Sequence, residues 1–395
     1  MRLYIHIALI LVSIQCYSQE NTLLIARNTG TTTLHDGTEI RTFGFAQRLS
    51  ENPSIPGPTL VFNEGDSVVI DLWNVSQGAP HTIHLHGLDV NQENDGVPHL
   101  SFDVGHMDHG YYRFKAPHPG AYLYHCHVVS VIHVQAGMYG LIIIEPKENE
   151  NLTWDGGYSF SKEHSFVTSE IDTNWHINEV LLHDTSAHNI KVPQYNPGYF
   201  LVNGESQHVL RNDVREIKNG DNAYLRFANI GYMANVIHLP KSFNSRIISS
   251  DGRPLPNVLE QDSLIVYPGE RYGVLVNSTT LGEDSVLVNY FDMNNGSSSG
   301  IESIVFFTVD ELNAEQLESN SIEIFPNPAH SQLHIKLADN QEIRELRVFN
   351  IQGQTTVTPR IANSISLNSL NPGTYYLELV LESGEVIHHQ FVKTQ

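Results

Sequence analysis

The sequence AYLYHCHVVSVIHVQAGMYGLIII, residues 121–144, holds the densest run of side chains in the chain that can bind a metal ion. Its first part, AYLYHCH, has the composition of a strand. Successive side chains of a strand point to opposite faces, so His125 and His127 should project to one side and Cys126 to the other. A single thiol is therefore expected to lie between two imidazoles that point the opposite way.

The loop after this strand adds two more donors. His133 and Met138 follow Cys126, and a second apolar strand is expected at residues 141–144. Two imidazoles and a thiolate with a weak axial thioether form the ligand set of a blue-copper site. The loop offers three of these four ligands, so one histidine must come from elsewhere.

The stretch PHTIHLHGLDV, residues 80–90, supplies it. In a strand, His84 and His86 share one face while His81 lies on the other. Both stretches therefore place two histidines on one face and another donor on the opposite face, which predicts two groups of ligands. The first, called the cysteine group below, consists of His81, Cys126, His133 and Met138. The second, called the histidine group, consists of His84, His86, His125 and His127.

The donor types favour copper over zinc, because a thioether suits soft copper and zinc rarely takes one. The cysteine count points the same way. The chain has 2 cysteines, and Cys16 lies in a segment that should be removed on export. The single remaining thiol, Cys126, cannot form an internal disulfide and is best explained as a metal ligand.

Composition predicts an all-β protein. Short runs rich in Val, Ile, Thr, Tyr and Phe recur between clusters of Gly, Pro, Asn and Asp, which is typical of β-sandwiches. The length of 395 residues allows two or three domains with their own cores. A net charge of −22 argues against nucleic acid as a partner, because its phosphates would be repelled.

Changes in composition along the chain predict four segments. Residues 1–18 combine a basic residue, a short apolar run and Ser18 at a plausible cleavage point, which predicts an export signal too short to span a membrane. Residues 20–147 and 160–312 are predicted to be two β-sandwich domains, joined by a polar linker. Residues 321–395 should form a small C-terminal β-sandwich.

HLHG at residues 84–87, YHCH at residues 124–127, the downstream His133 and the GM at residues 137–138 together resemble the cupredoxin domains of multicopper oxidases and copper nitrite reductases. The resemblance extends over most of residues 40–310. It implies Greek-key β-sandwiches, a type 1 copper in the cysteine group where electrons enter, and a type 2 or type 3 copper site in the histidine group where oxygen is reduced. The seven positions from Cys126 to His133 are more than multicopper oxidases usually have.

The sequence DGVP, residues 95–98, is typical of a turn, and the same family has it near this point. Asp95, or the nearby Asp89, could relay protons to the histidine group. Turn formation alone also accounts for Asp95, so both interpretations stay open.

The segment 160–312 resembles the second domain of multicopper oxidases by its scaffold rather than by its ligands. It has no cysteine, and His238 alone stands where a histidine ligand would be expected. Two-domain relatives complete their second copper site between neighbouring subunits, so the resemblance implies a homotrimer. With few ligands in this domain, the second site should be smaller than a full trinuclear cluster.

The C-terminal segment carries FPNP, a GQ turn, PGTYYLEL and a final FVK. It resembles the C-terminal sorting domain of the type IX secretion system of Bacteroidota. The resemblance implies export through the periplasm to the cell surface or the medium, with the type IX machinery as a partner.

These features predict an exported, multicopper oxidase-like oxidoreductase with copper as its cofactor. It would take electrons from a small molecule or a protein and pass them through the His-Cys-His link to oxygen. One alternative is a nitrite reductase-like copper enzyme, although His84 and His127 occupy positions where that family has an Asp and a non-ligand. The other is an electron-transfer or copper-binding protein without catalysis.

Overall fold

A computed structural model describes residues 19–147, 149–182, 192–310, 323–337, 343–350, 355–357, 364–382 and 386–394. The predicted export signal, residues 1–18, lies outside the described residues. The chain divides into two compact units, Met1–Asp310 and Glu311–Gln395. No helix in the described ranges is long and apolar enough to cross a membrane.

The fold is all-β, and unit 1 contains two cupredoxin-like sandwiches. The strands of the first sandwich are β1 (Gln19–Thr33), β2 (Glu39–Ala46), β3 (Leu60–Asn63), β4 (Ser67–Asn74), β5 (His84–His86), β6 (His109–Lys115), β7 (Gly120–His125) and β8 (Tyr139–Glu145). They form two sheets with the strand orders β2-β1-β4-β6 and β3-β8-β7-β5. Helix α1 (Ser130–Gln135) connects β7 to β8.

Alternation along the strands explains the core of this sandwich. In β4, Val68, Ile70 and Leu72 are buried while the residues between them are only half-buried or exposed. β7 behaves differently, because all six of its residues are buried. Its second face packs against Val167, Ala228 and other apolar residues of the second sandwich. A strand covered on both faces needs a continuous apolar run, which is what its sequence provides.

The second sandwich follows in the same unit. Its strands are β9 (Lys162–Ile171), β10 (Tyr199–Val202), β11 (Arg215–Lys218), β12 (Asn222–Asn229), β13 (Ala234–His238), β14 (Arg246–Ser250), β15 (Arg253–Glu260), β16 (Ser263–Val266), β17 (Arg271–Asn277), β18 (Gly282–Phe291) and β19 (Ser298–Val309). The sheet orders are β10-β9-β12-β17-β14-β15 and β11-β19-β18-β13-β16. Two short helices accompany them, α2 (Asn178–Leu181) and α3 (Gln207–Asn212).

Separate sheets lie before and after residues 147–160, although Val180 and Leu181 of α2 pack in the core of the first sandwich. The boundary between two cupredoxin domains at that point remains a prediction.

Unit 2 is a smaller sandwich. Its strands are β20 (Glu323–Phe325), β21 (Gln332–Lys336), β22 (Ile343–Asn350), β23 (Thr355–Val357), β24 (Ser364–Ser366), β25 (Gly373–Leu381) and β26 (Val386–Lys393). The sheets have the orders β20-β21-β24 and β23-β22-β25-β26. Leu333, Val348, Leu377 and Phe391 are fully buried in its own apolar core.

Candidate metal centres

The cysteine group forms where β7 ends. Beyond His125 the Cys126 amide donates a hydrogen bond to the Met138 carbonyl (3.0 Å), and the Met138 amide donates one to the His133 carbonyl (2.9 Å). Cys126 Sγ lies 3.2 Å from His133 Nδ1 and 3.7 Å from His81 Nδ1. These three donor atoms lie within 4.8 Å of one another. Met138 is fully buried in the same apolar core as Cys126.

Burial keeps these donors neutral in the metal-free protein. It lowers the pKa of His81 well below the ordinary value and the pKa of His133 to about 4, and it raises the pKa of Cys126 to about 11. A metal would therefore replace the thiol proton on binding. Two Nδ1 atoms and one sulfur converge in an apolar pocket next to a buried methionine. This donor set fits copper.

Helix α1 carries His133. The sequence predicted a loop here, whereas the seven positions after Cys126 contain a short helix, which begins after Val129 at φ 44°, ψ 49°. This left-handed conformation is uncommon for a β-branched residue and costs roughly 1–3 kcal/mol. The helix turns His133, Val134 and Gln135 inward and leaves Val131 46% exposed.

The histidine group lies on the other side of the same peptide. The ring nitrogens of His84, His86 and His125 approach one another within 4.8 Å. His84 Nδ1 lies 2.8 Å from the Asp95 carbonyl, and His125 Nδ1 lies 3.1 Å from the Cys126 carbonyl. A carbonyl oxygen can only accept, so both Nδ1 atoms must carry the proton. Each ring then keeps Nε2 free for a metal.

The second sandwich forms the wall behind His86. Gly269 is so near that a Cβ there would lie 3.0 Å from His86 Cε1. Burial and the Arg271 guanidinium lower the pKa of His86 to about 4. Arg271 Nη1 lies 2.8 Å from Asp251 Oδ1 and 2.7 Å from the Gly269 carbonyl. The second sandwich thus lies against a histidine of the first, and none of its described residues belongs to the close set of ligands.

His127 stands at the edge of the histidine group. Its ring centroid is 5.3 Å from that of His84 and 6.0 Å from that of His125, but it is not part of the close set of three. It lines a cavity of about 600 Å³ together with His99 and Asp103. The spacing of His99 in the sequence does not indicate that it lines the same cavity as His127.

The remaining predicted residues have other surroundings. Asp95 reaches His84 through its backbone carbonyl, while its carboxylate Oδ2 lies 3.5 Å from His84 Nδ1. Asp89 is paired with Arg253 at 2.5 Å. His238 is exposed on β13 and lies outside both groups.

Residues 38–149 match the family model described as "Multicopper oxidase", and residues 323–393 match the one described as "Secretion system C-terminal sorting domain". The chain carries a multicopper oxidase domain and a sorting domain. The cysteine group and the histidine group both lie within the multicopper oxidase domain.

Relatives and solved structures agree with this. The chain is 28% identical over 270 residues to copper resistance protein A of Pseudomonas syringae pv. tomato, which covers 58% of this chain and 42% of the relative. It is 35% identical over 120 residues to the copper-containing nitrite reductase of Neisseria meningitidis serogroup B, covering 30% of this chain and 28% of the reductase. The blue copper oxidase from Nitrosomonas europaea superposes with a TM-score of 0.59 at 26% identity, over 74% of this chain and 86% of the oxidase. The chain thus spans less than half the length of the curated relatives named here.

Gly87 follows β5 and lies close to Arg271 of the second sandwich. Replacing this glycine tests how tightly the second sandwich packs behind His86. A Cβ at Gly87 (φ +85°) would lie 2.1 Å from Arg271 Nη2, whereas a Cβ at Gly78 (φ +95°) would meet nothing within 4 Å. Both substitutions by alanine should cost about 1–2 kcal/mol for the left-handed backbone. We expect Gly87→Ala to cost a further ~1–3 kcal/mol from the clash, as measured by denaturant unfolding. Equal losses in both variants would mean that Arg271 does not press on this turn.

Proposed function

We propose that the protein is an exported copper-dependent oxidoreductase in which electrons enter at the cysteine group and leave at the histidine group to reduce oxygen. The observation that carries this proposal is the separation of two donor sets by one peptide. Cys126 points to one set and its neighbour His125 to the other, so covalent bonds connect them. Such a connection suits electron transfer between two metal sites and has no purpose in a single structural site.

The cysteine group would hold a type 1 copper through His81, Cys126 and His133, with Met138 as the weak axial ligand. Copper bound there would supply one-electron chemistry at the end of the covalent link. The protein residues keep this pocket closed, since the three strong donors are at most 3% exposed. An external reductant must therefore deliver its electron through the residues that cover them.

The histidine group would hold a type 2 or type 3 copper site through His84, His86 and His125, with His127 at its edge. Asp95 orients His84 by accepting from its Nδ1, and its half-buried carboxylate is placed to exchange protons with the solvent side of the group. The described residues of the second sandwich add no histidine to these rings, so the site should be smaller than a full trinuclear cluster.

One observation favours the nitrite reductase-like alternative. The close set contains three histidines and leaves His127 outside, which suits one metal ion rather than several. The similarity to nitrite reductases in the first sandwich agrees with it. The electron-transfer alternative rests on the second sandwich, which is poor in ligands.

Two variants and two acceptors separate these functions. Reduced, copper-loaded protein mixed with oxygen should regain an intense visible absorption, and nitrite should not replace oxygen. Cys126→Ser should lose the absorption and keep other copper. His84→Ala with His127→Ala should keep the absorption and lose oxygen consumption. Rapid reoxidation by nitrite alone would favour the reductase, and a colourless, copper-loaded wild type would contradict the type 1 site.

The outer face of sheet β11-β19-β18-β13-β16 supports a homotrimer. Ile265, Leu287, Ile301 and Phe307 are 40–52% exposed on it. Register places Leu287 opposite His238, so this histidine lies within an exposed apolar face. We propose that this face packs on the first sandwich of a neighbouring subunit, where His238 would complete the histidine group as a metal ligand.

Sedimentation tests the trimer with a matched pair of substitutions. Leu287→Arg puts a charge on this face, while Leu259→Arg puts one at a similarly exposed position (45%) on the other sheet. We expect wild type and Leu259→Arg to sediment as trimers and Leu287→Arg as a smaller species, because a buried unpaired charge is costly. A copper-loaded wild-type monomer would contradict the proposal.

Unit 2 would direct the protein through the type IX machinery to the cell surface or the medium, as the sorting-domain match suggests. Removal of residues 321–395 should leave the protein in the periplasm of a type IX host with its visible spectrum unchanged, because unit 2 has its own core. Cell fractionation measures the location of the truncated chain, and visible absorption measures whether its spectrum is unchanged. Normal release of the truncated chain would contradict the sorting role.

A further inference from the structure

Helix α1 makes hydrogen bonds to the second sandwich on both sides of His133. Tyr232 Oη donates to the Val131 carbonyl (2.5 Å). Gln135 Nε2 donates to the Glu170 carbonyl (2.9 Å), and Gln135 Oε1 accepts from the Asp172 amide (2.8 Å). The position of the helix, and of the histidine on it, thus depends on the residues around Glu170.

Glu170 is a buried acid that has no counter-charge among the residues that the structure describes. It is 2% exposed. Its Oε1 accepts from Tyr195 Oη (2.9 Å) and from the Tyr232 amide. Its Oε2 is buried and accepts no hydrogen bond from the described residues that meets the usual distance and angle limits. The Met233 amide is nevertheless near enough to lower the pKa of the carboxyl. Oε2 lies directly against the Gly231 backbone.

The titratable groups that face this carboxyl are neutral or acidic. Those that interact with it are Tyr139 of β8, Tyr290 of β18, Tyr195, and Tyr232 in the turn after β12; Asp172 and His176 follow Glu170 along the chain. Burial lowers the pKa of His176, so it is uncharged at neutral pH. Burial also raises the pKa of Glu170 to about 7.

The cluster contains further unpaired groups. Trp175 Nε1 and His176 Nε2 are buried without a hydrogen-bond partner, and the Trp175 ring lies 5.3 Å from the Tyr195 ring. Unsatisfied buried polar atoms reduce stability, and they are rare in protein cores.

We propose that Glu170 is a positioning residue that binds and releases a proton. Its charge would set how strongly a metal bound in the cysteine group holds an electron. The proposal rests on the proposed function. When pH falls, the carboxylate takes one proton from solvent on Oε2, and Oε1 continues to accept the hydrogen bond from Tyr195. When pH rises, the proton leaves, and a negative charge without a partner remains behind α1. That charge favours the oxidised, more positive state of a metal in the cysteine group.

The long spacing between Cys126 and His133 acquires a role in this account. The extra residues form the helical turn that brings Val131 and Gln135 against Tyr232 and Asp172. A shorter loop would have no residue at this place. The departure in spacing is thus the structural link between the buried acid and His133.

The test is a redox titration of the visible absorption against a chemical mediator between pH 6 and pH 8. In wild type the electron affinity of the metal in the cysteine group should fall several-fold as pH rises through about 7. This is the size expected for one unit charge in a protein interior. Glu170→Gln should abolish this dependence. Glu302→Gln changes another buried acid of the second sandwich, which pairs with Gln207, and should behave as wild type. An unchanged pH dependence in Glu170→Gln would overturn the proposal.

A second measurement needs no copper. Trp175 emission in the metal-free protein should titrate near neutral pH, and the transition should vanish in Glu170→Gln and in Trp175→Phe. Tyr195→Phe keeps the acid but removes a hydrogen bond that lowers its pKa, so its transition should move to higher pH; this variant serves if Glu170→Gln does not fold. An emission that is flat in wild type contradicts the proposal, whereas the absence of any visible band contradicts the proposed function instead.

Discussion

The chemistry proposed for this protein depends on one constraint, the alternation of side chains across the end of β7. His125 ends β7 and Cys126 follows it directly, and the thiol and the imidazole belong to different donor sets. The structure uses this by placing His81 and His133 on the thiol side and His84 and His86 on the His125 side. Two donor sets that could compete for one metal ion are kept apart by a single peptide. They are also kept at a fixed separation, which electron transfer requires.

The second sandwich takes part although none of its described residues contributes a metal-capable side chain to either close set. Arg271 and Gly269 lie behind His86 at the histidine group, and Gln135 reaches Glu170 and Asp172 behind the cysteine group. β7 and β8 are buried on both faces because this neighbour covers them. The second sandwich is therefore still needed to orient the imidazoles of the first.

Much of this arrangement could be predicted from the sequence, because strand periodicity determines which side chains share a face. Parity placed Cys126 with His81, the blue-copper ligand set added His133, and the composition predicted an all-β chain. Periodicity does not report on packing between distant segments. The helix at residues 130–135 was missed because it is too short to show a helical pattern. The cavity that His127 shares with His99, and the hydrogen bond from Gln135 of α1 to the Glu170 carbonyl, depend on long-range contacts that no local pattern encodes.

The central claim is that Cys126 binds copper together with two histidines. X-ray absorption at the copper edge, on protein loaded with a single equivalent of copper, tests this most directly. The account predicts one short copper–sulfur bond and two nitrogen ligands, with the short sulfur bond absent from Cys126→Ser. A spectrum of wild type with nitrogen and oxygen ligands alone would contradict it.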